Sequence, residues 1–469
     1  MNRDITLKET ELYFIPVTMR FPLCFGGGEV SSVTCLRVKA VVEEASGSRS
    51  ASGWGETPLN IQWAWPGEGS FSKKEEALKE FSVKLSHVWI NSHIVGHPFE
   101  ITHQFIEEVL PEITENPVPY LATLLCCSAF DLAIHDAYGK LHEQPVYGTY
   151  NREFMNRDLS WFFNIMGKSA DSSIEENFPR FSGRYPEDYL SRTPKKELLA
   201  WHLVGERDPL SPEELTGEEP EDGYPLLLED WIKRDGLLCL KIKLNGIEEE
   251  RDYNRLVRVG KIAERSGVLF LSADFNCCVG EPEYLIEVLN RLGREEPEIY
   301  KMLLYIEQPF PYDLEKYPID AHKVSRLKPL FMDESAFHWR RIKPGKDLGW
   351  TGVGLKTCKT QTESILSLCL AREMGLQIMV QDLTNPMLAQ ISHVLLAAHG
   401  GTIMGVETNS MQFCPQASET EARVHPGLYR RREGKIDLST VRGYGFGYRI
   451  EEMGWKMSEH SLEGFKQCI

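Results

Sequence analysis

The sequence predicts an α/β protein: a parallel (β/α) barrel over residues 151–410, preceded by an α+β unit over residues 1–150. A C-terminal segment, 411–469, is expected to return toward that first unit. Three observations carry this reading. The 469 residues exceed the roughly 250–300 at which a single core stops growing. The first 150 residues pass from strand-like to helix-like patterning. From Asp158 onward, eight short apolar runs each end in a polar or charged residue, and eight strands close a parallel barrel.

Within the first unit, Glu11 to Arg20 and Val33 to Glu43 alternate apolar and polar residues around the turn Gly26-Gly27-Gly28, the pattern of a β-meander. Residues 73–141 are helical in pattern, and Leu121 to His135 is apolar enough for a buried helix ending near Gly139. The eight barrel runs are Leu159 to Ile165, Leu237 to Lys243, Val268 to Asp274, Met302 to Glu307, Leu330 to Asp333, Gly352 to Lys356, Gln377 to Asp382 and Thr402 to Glu407. After the sixth run, Thr360 and Glu363 form a T-x-x-E capping box ahead of an apolar-periodic helix. An acidic, proline-containing insertion, 167–223, follows the first run and includes Gly205-Glu206-Arg207-Asp208-Pro209. At the C-terminal end of a barrel strand it is either a specificity lid or a surface excursion without a role.

Composition narrows the function. A net charge of −17, with 69 acidic against 52 basic side chains, provides no basic surface for nucleic acid. An anionic substrate then requires local cations, from a metal ion or clustered lysines. Eleven cysteines without any CxxC spacing read as free thiols in a reducing cytoplasm. Met1 to Glu11 lacks a signal-peptide apolar run, and no stretch is expected to reach the ~18 apolar residues of a membrane span. The acidic surface and large barrel are compatible with a symmetric homo-oligomer.

The strand ends carry the chemistry: Lys241 and Lys243, then Asp274 and Asn276, Glu307, Asp333 with Glu334, and Lys356. Strand alternation puts Lys241 and Lys243 on one face, inward in a barrel. Three carboxylates meeting at one barrel end repel unless a cation lies among them, and hard oxygen ligands favour Mg²⁺, with Mn²⁺ as a substitute. Lysines from the second and sixth strands would flank a substrate held there.

The ordered set Lys241-Ile242-Lys243, Asp274-Phe275-Asn276, Ile306-Glu307-Gln308-Pro309, Met332-Asp333-Glu334-Ser335 and Leu355-Lys356 resembles the enolase superfamily. The K-x-K with an opposing lysine resembles its muconate lactonizing enzyme subgroup, dipeptide epimerases included. Gly53-Trp54-Gly55-Glu56-Thr57 is similar to the motif of that family's capping domain. The resemblance implies a modified TIM barrel under an N-terminal α+β cap, with Asp274, Glu307 and Asp333 as metal ligands. It further implies Lys243 and Lys356 as acid and base on the two faces of a small carboxylate, with Lys241 holding its carboxylate or lowering the pKa of Lys243. The chemistry implied is removal of a proton α to the carboxylate, through an enediolate whose charge a divalent cation stabilises.

At the eighth strand the pattern departs from the Asp-x-Asp with which dipeptide epimerases hold a substrate ammonium; here stands Glu407-Thr408-Asn409. Glu407 is expected to take either that group or another part of the substrate, and Asp382 and Asn276 are further substrate-binding candidates. No histidine follows Asp382 where a His-Asp base would need one. His393 and His399 read as packed helix residues, Cys277 and Cys278 as packing, and Lys359 as lying too far into the turn to replace Lys356. Loops 21–29 and 57–65 are expected over the barrel mouth, where Trp63 and Trp65 form an apolar wall or else pack on the insertion. The leading expectation is a racemase or epimerase. The alternatives are β-elimination or cycloisomerisation by the same chemistry (acid-sugar dehydration, succinylbenzoate formation) and a non-catalytic metal-binding barrel.

Overall fold

In the computed structural model, residues 3–114, 118–163 and 180–455 are described. The chain opens with a three-stranded antiparallel sheet, β1 (Ile5–Phe25), β2 (Gly28–Glu44) and β3 (Ser50–Pro58), in that order. Helices Phe71–Asn91 and Tyr120–Leu141 cover it. Against the expectation that no stretch reaches span length, the second helix is long and apolar enough to cross a membrane, and nearly all of it is buried between this sheet and its neighbours. It lies hard against β3 because Gly53 and Gly55 have no side chains. A Cβ on either would fall 2.1 Å from the helix backbone, at Ala137 N and Ala129 O respectively.

The remaining strands form a curled, mostly parallel sheet. These are β4 (Glu197–Val204), β5 (Cys239–Lys243), β6 (Phe270–Asp274), β7 (Leu303–Glu307), β8 (Leu330–Met332), β9 (Gly352–Leu355), β10 (Gln377–Val380) and β11 (Val406–Glu407). Hydrogen bonding runs in sequence order from β4 to β10, and β11 returns to pair with β4. Ile403 N–H donates to the Ile378 carbonyl at 2.9 Å, tying the approach to β11 back onto β10. A short β12 (Lys435–Asp437) adds antiparallel to the start of β4. The architecture is the (β/α) barrel with an N-terminal capping sheet that the sequence predicts.

One strand is displaced from its expected place. Leu159 to Ile165 is not the first barrel strand: Leu159–Phe162 is a single helical turn that Asp158 caps by accepting from Ser160 N–H, and residues 164–165 lie outside the described residues. Its aromatic side chains anchor instead, Phe162 against Phe99 and Phe163 against Trp339. The first strand is β4, inside the stretch read as an insertion, of which 167–179 also fall outside the described residues. Its run Glu-Leu-Leu-Ala-Trp-His-Leu-Val is the near-continuous apolar sequence of a strand buried on both faces. The acidic excursion proper is therefore 205–227, leaving the C-terminal end of β4.

The C-terminal segment touches the first unit at several points. Phe446 N–H donates to Asp136 Oδ1 at 2.8 Å, and Val146 N–H to the Gly445 carbonyl, also at 2.8 Å. A buried Arg37 binds Glu56 of the Gly-Trp-Gly-Glu-Thr motif, lies 3.6 Å from Glu421 and stacks 3.9 Å from the Trp455 ring centre. Arg37 is committed mainly to Glu56, so burial pushes the Glu421 carboxyl up to about 7 despite the guanidinium. A carboxyl raised on folding stabilises fully below its unfolded value of about 4.3 and loses that contribution as pH rises through its folded value. Glu421→Gln should therefore raise the unfolding temperature at pH 8 and leave it unchanged at pH 4, a difference on the order of 3 kcal/mol. Equal effects at both pH values would refute the assignment.

Candidate active site

The barrel interior is built in layers by strand alternation. Trp201, Cys239, Tyr305, Phe331 and Met379 pack as an apolar floor. The inward positions at or just beyond the C-terminal strand ends carry Lys241, Lys243, Asp274, Glu307, Asp333, Lys356 and Glu407, all buried. The register places Lys243, Asp274 and Glu307 side by side, since Lys243 is paired with Asp274 and Asp274 with Glu307.

Charges alternate through this layer. Lys241 Nζ lies 2.6 Å from Glu307 Oε1, 3.0 Å from Asp274 Oδ2 and 3.1 Å from Glu407 Oε2. Lys243 Nζ donates to Asp274 Oδ2 at 2.6 Å and to Asn276 Oδ1 at 2.9 Å. Lys356 Nζ lies 2.7 Å from Asp333 Oδ2. Against the desolvation of burial, Lys241 and Lys243 hold Asp274 well below the usual carboxylate range, and Lys356 and Lys359 bring Asp333 to about 2. Glu307 goes the other way: burial and the neighbouring Asp274 push it up, although Lys241 opposes them.

At Lys356, burial and Lys241 disfavour the charged ammonium, but Asp333 outweighs them and raises it above its ordinary value.

The donor set fits a divalent cation. Three carboxylates come from three adjacent strands, and the Glu307 Oε2 atom is buried without a hydrogen-bond partner. Among the described residues no three His, Cys, Asp or Glu side chains already converge on one point. The physical reason is visible in the contacts above: a lysine ammonium lies against each acid as its counter-charge.

Above this layer is a cavity of about 30 Å³ lined by Lys243 and Lys356 with Glu407, Asp382, Asn409, Thr384, Leu203 and Leu383. The cap closes it with Leu23 and Phe25 from the tip of β1 and with Asn60 and Trp63 from the loop after β3. Trp63 lies 4.6 Å from Lys356 Nζ and Phe25 5.1 Å from Lys243 Nζ, ring centre to nitrogen. Both expected cap loops thus reach the mouth, but only one of the two tryptophans does. Trp65 packs beside Lys74, whose Nζ donates to the Trp65 carbonyl at 3.0 Å. The volume is that of about one water molecule, so a carboxylate substrate requires the cap loops to move outward.

The other sequence-named residues divide by what they touch. Glu407 accepts from Lys241, from Asp382 N–H at 2.9 Å and from Asn409 Nδ2 at 2.9 Å. Both Asp382 oxygens take backbone N–H groups, of Leu383, Asn385 and Asn409, so its carboxylate closes the loop after β10 while its residue lines the cavity. Asn276, at φ 43°, is held by Asp274 and holds Lys243 in turn.

Three residues have larger parts than the sequence reading assigned. Lys359 donates to the Asp333 carbonyl at 2.6 Å and to Asp333 Oδ1 at 3.1 Å, so it shares that acid with Lys356. His393 is buried as expected, and its Nε2 also lies 2.7 Å from the Glu407 carbonyl, bracing the end of β11. Glu334 is buried beside Asp333, which together with desolvation pushes it to about 7. Its position directly after a strand-end acid was the available signal.

No protein-family model and no curated protein matches the chain. Its fold does match solved structures along nearly its whole length. N-succinyl Arg/Lys racemase from Bacillus cereus superposes with a TM-score of 0.63 at 17% identity, covering 99% of this chain and 100% of that one. A dipeptide epimerase from Enterococcus faecalis, solved with Mg and L-Leu-L-Tyr, gives 0.61 at 16%, covering 94% and 99%. Muconate lactonizing enzyme from Pseudomonas fluorescens gives 0.60 at 12%, covering 96% and 98%. This chain therefore has the enolase-superfamily fold, in the form shared by the racemases, epimerases and lactonizing enzymes of the mandelate racemase/muconate lactonizing group.

Proposed function

We propose that the protein is a racemase or epimerase of the enolase superfamily, which removes the proton α to a carboxylate on one face and returns a proton on the other. The observation that carries this reading is the pair of lysines, Lys243 on β5 and Lys356 following β9, lining one cavity with three acid-bearing strands between them. Asp274, Glu307 and Asp333 would hold Mg²⁺ or Mn²⁺. Bound there, the cation would supply positive charge for the developing enediolate.

The chain's own residues account for the rest. Lys241, fixed between Glu307, Asp274 and Glu407, keeps a positive charge for the substrate carboxylate. Lys243 and Lys356 exchange the α-proton, one as base and the other as acid. Asn276 orients Lys243, and Glu407 with Asp382 sets the wall opposite the cap. Leu23, Phe25 and Trp63 exclude water, which strengthens each charge interaction beneath them. The 1–150 unit acts as the cap, and the substrate is a small-molecule carboxylate.

Proton NMR in D₂O with Mg²⁺, over pooled dipeptides, N-acyl amino acids and sugar acids, tests this. Loss of the α-proton signal without a new product is the expected result, and EDTA should abolish it. A product with a new double bond or ring would replace racemisation by β-elimination or cycloisomerisation. No exchange with any carboxylate would leave a metal-binding barrel without this activity.

A further inference from the structure

The hairpin tip that closes the cavity is poorly supported by its own sheet. From Glu9, opposite Val41, β1 and β2 pair in continuous register to Thr18, opposite Ser32, and pairing resumes only at Leu23, opposite Val30. Residues 19–22 of β1 thus have no partner in β2, and beyond this break lie Leu23 and Phe25, the two tip side chains in the cavity wall. A bulge of this size bends a strand and interrupts the ladder that would stiffen it.

The acidic excursion after β4 supplies what the ladder lacks. Arg20, inside the break, buries its side chain and binds Asp222 through two bonds, Nε to Oδ2 at 2.6 Å and Nη2 to Oδ1 at 2.7 Å. The same guanidinium donates to the Pro225 carbonyl at 3.2 Å and the Tyr224 carbonyl at 3.3 Å. On the other side of the tip, Glu206 N–H donates to the Cys24 carbonyl at 3.3 Å. The excursion is itself fastened to the barrel helix Glu249–Arg265. Arg255 donates to the Gly205 and Asp208 carbonyls, at 2.5 and 3.0 Å, and Arg258 binds Glu214. Two-point Arg–carboxylate bonding fixes orientation as well as distance.

We infer that residues 205–225 are a strap, with Arg20 and Asp222 as its latch, which positions Leu23 and Phe25 over the two lysines and governs opening of the cavity. The excursion is then neither a bare surface loop nor a wall that touches substrate. Its effect passes through the tip of β1, so Arg20 and Asp222 are positioning residues. The inference rests on reading the cavity as the substrate site, but the strap itself can be tested without a substrate.

The experiment is hydrogen–deuterium exchange by mass spectrometry on the full chain, comparing wild type with Asp222→Ala and the milder Asp222→Asn. Exchange in peptides covering 19–30 should accelerate about 10-fold in Asp222→Ala and less in Asp222→Asn, because the latch opens locally. Peptides covering β6 to β8 should be unchanged, and the swap Arg20→Asp with Asp222→Arg should restore protection. Unchanged exchange over 19–30, or acceleration spread evenly through the barrel, overturns the strap. With a carboxylate that exchanges its α-proton, Asp222→Asn should change KM more than kcat. Failure of every carboxylate to react would count against the substrate reading alone, since the exchange contrast still decides the strap.

Discussion

Lys243→Ala and Lys356→Ala should each abolish racemisation, with the rate falling by about 10²–10⁴-fold as expected for loss of a proton-transfer group. Each variant should still fold, because the acid left behind keeps another lysine. Asp274 retains Lys241, 3.0 Å away, and Asp333 retains Lys359, 3.1 Å away. That circumstance separates chemistry from stability more cleanly than usual for buried charges. A single remaining base can still remove the α-proton from one stereoisomer, so each variant should exchange deuterium into one enantiomer while failing to interconvert the two. Chiral separation combined with NMR in D₂O measures both quantities. Full racemisation in either variant would sink the two-base reading.

Asp131→Ala should produce the largest loss of stability. Asp131 belongs to the helix Tyr120–Leu141 of the first unit, yet it caps the barrel helix Gln361–Glu373. Its Oδ2 accepts from Gln361 N–H at 2.6 Å and Thr362 N–H at 3.2 Å, and its Oδ1 from Thr362 Oγ1 at 2.8 Å. His135, bonded to Tyr150, completes the network at 3.3 Å from the carboxylate. Truncation leaves buried donors unpaired, for a cost of about 3–5 kcal/mol.

The same grip bears on the site. Thr360, just before this helix, has φ 75° and ψ 150°, a region that non-glycine residues avoid, and Ser364 Oγ donates to the Lys356 carbonyl at 2.6 Å. Loss of Asp131 should therefore lower the unfolding temperature by several degrees and also reduce turnover by disturbing the turn that carries Lys356. An unfolding temperature equal to wild type would show that the network is dispensable.

Much of the fold could be read in the sequence because it is written in local periodicity. Seven of the barrel runs coincide with β5 to β11, since each is short, apolar and ended by the polar residue that alternation brings to the barrel mouth. Of the Thr360–Glu363 capping box one half is present: the Thr360 hydroxyl accepts from Glu363 N–H at 3.0 Å, while Glu363 Oε2 accepts from Trp339 N–H at 3.3 Å instead of reaching back to Thr360. The first strand was misplaced because two apolar runs compete, and periodicity cannot separate a buried strand from a helical turn with aromatic anchors. The acidic setting of Glu197–Val204 disguised the true one.

By itself the sequence determined seven of the eight barrel strands and the identity of the charged residues at their ends, both set by chain-neighbour spacing. Only the tertiary structure decided which acid each lysine pairs with, and that Asp333 is shared by Lys356 and Lys359. It also decided that Trp63 but not Trp65 reaches the cavity, and that Arg20 meets Asp222 some 202 positions away. Those outcomes depend on burial and through-space distance between segments remote in the chain, and no local pattern encodes either quantity.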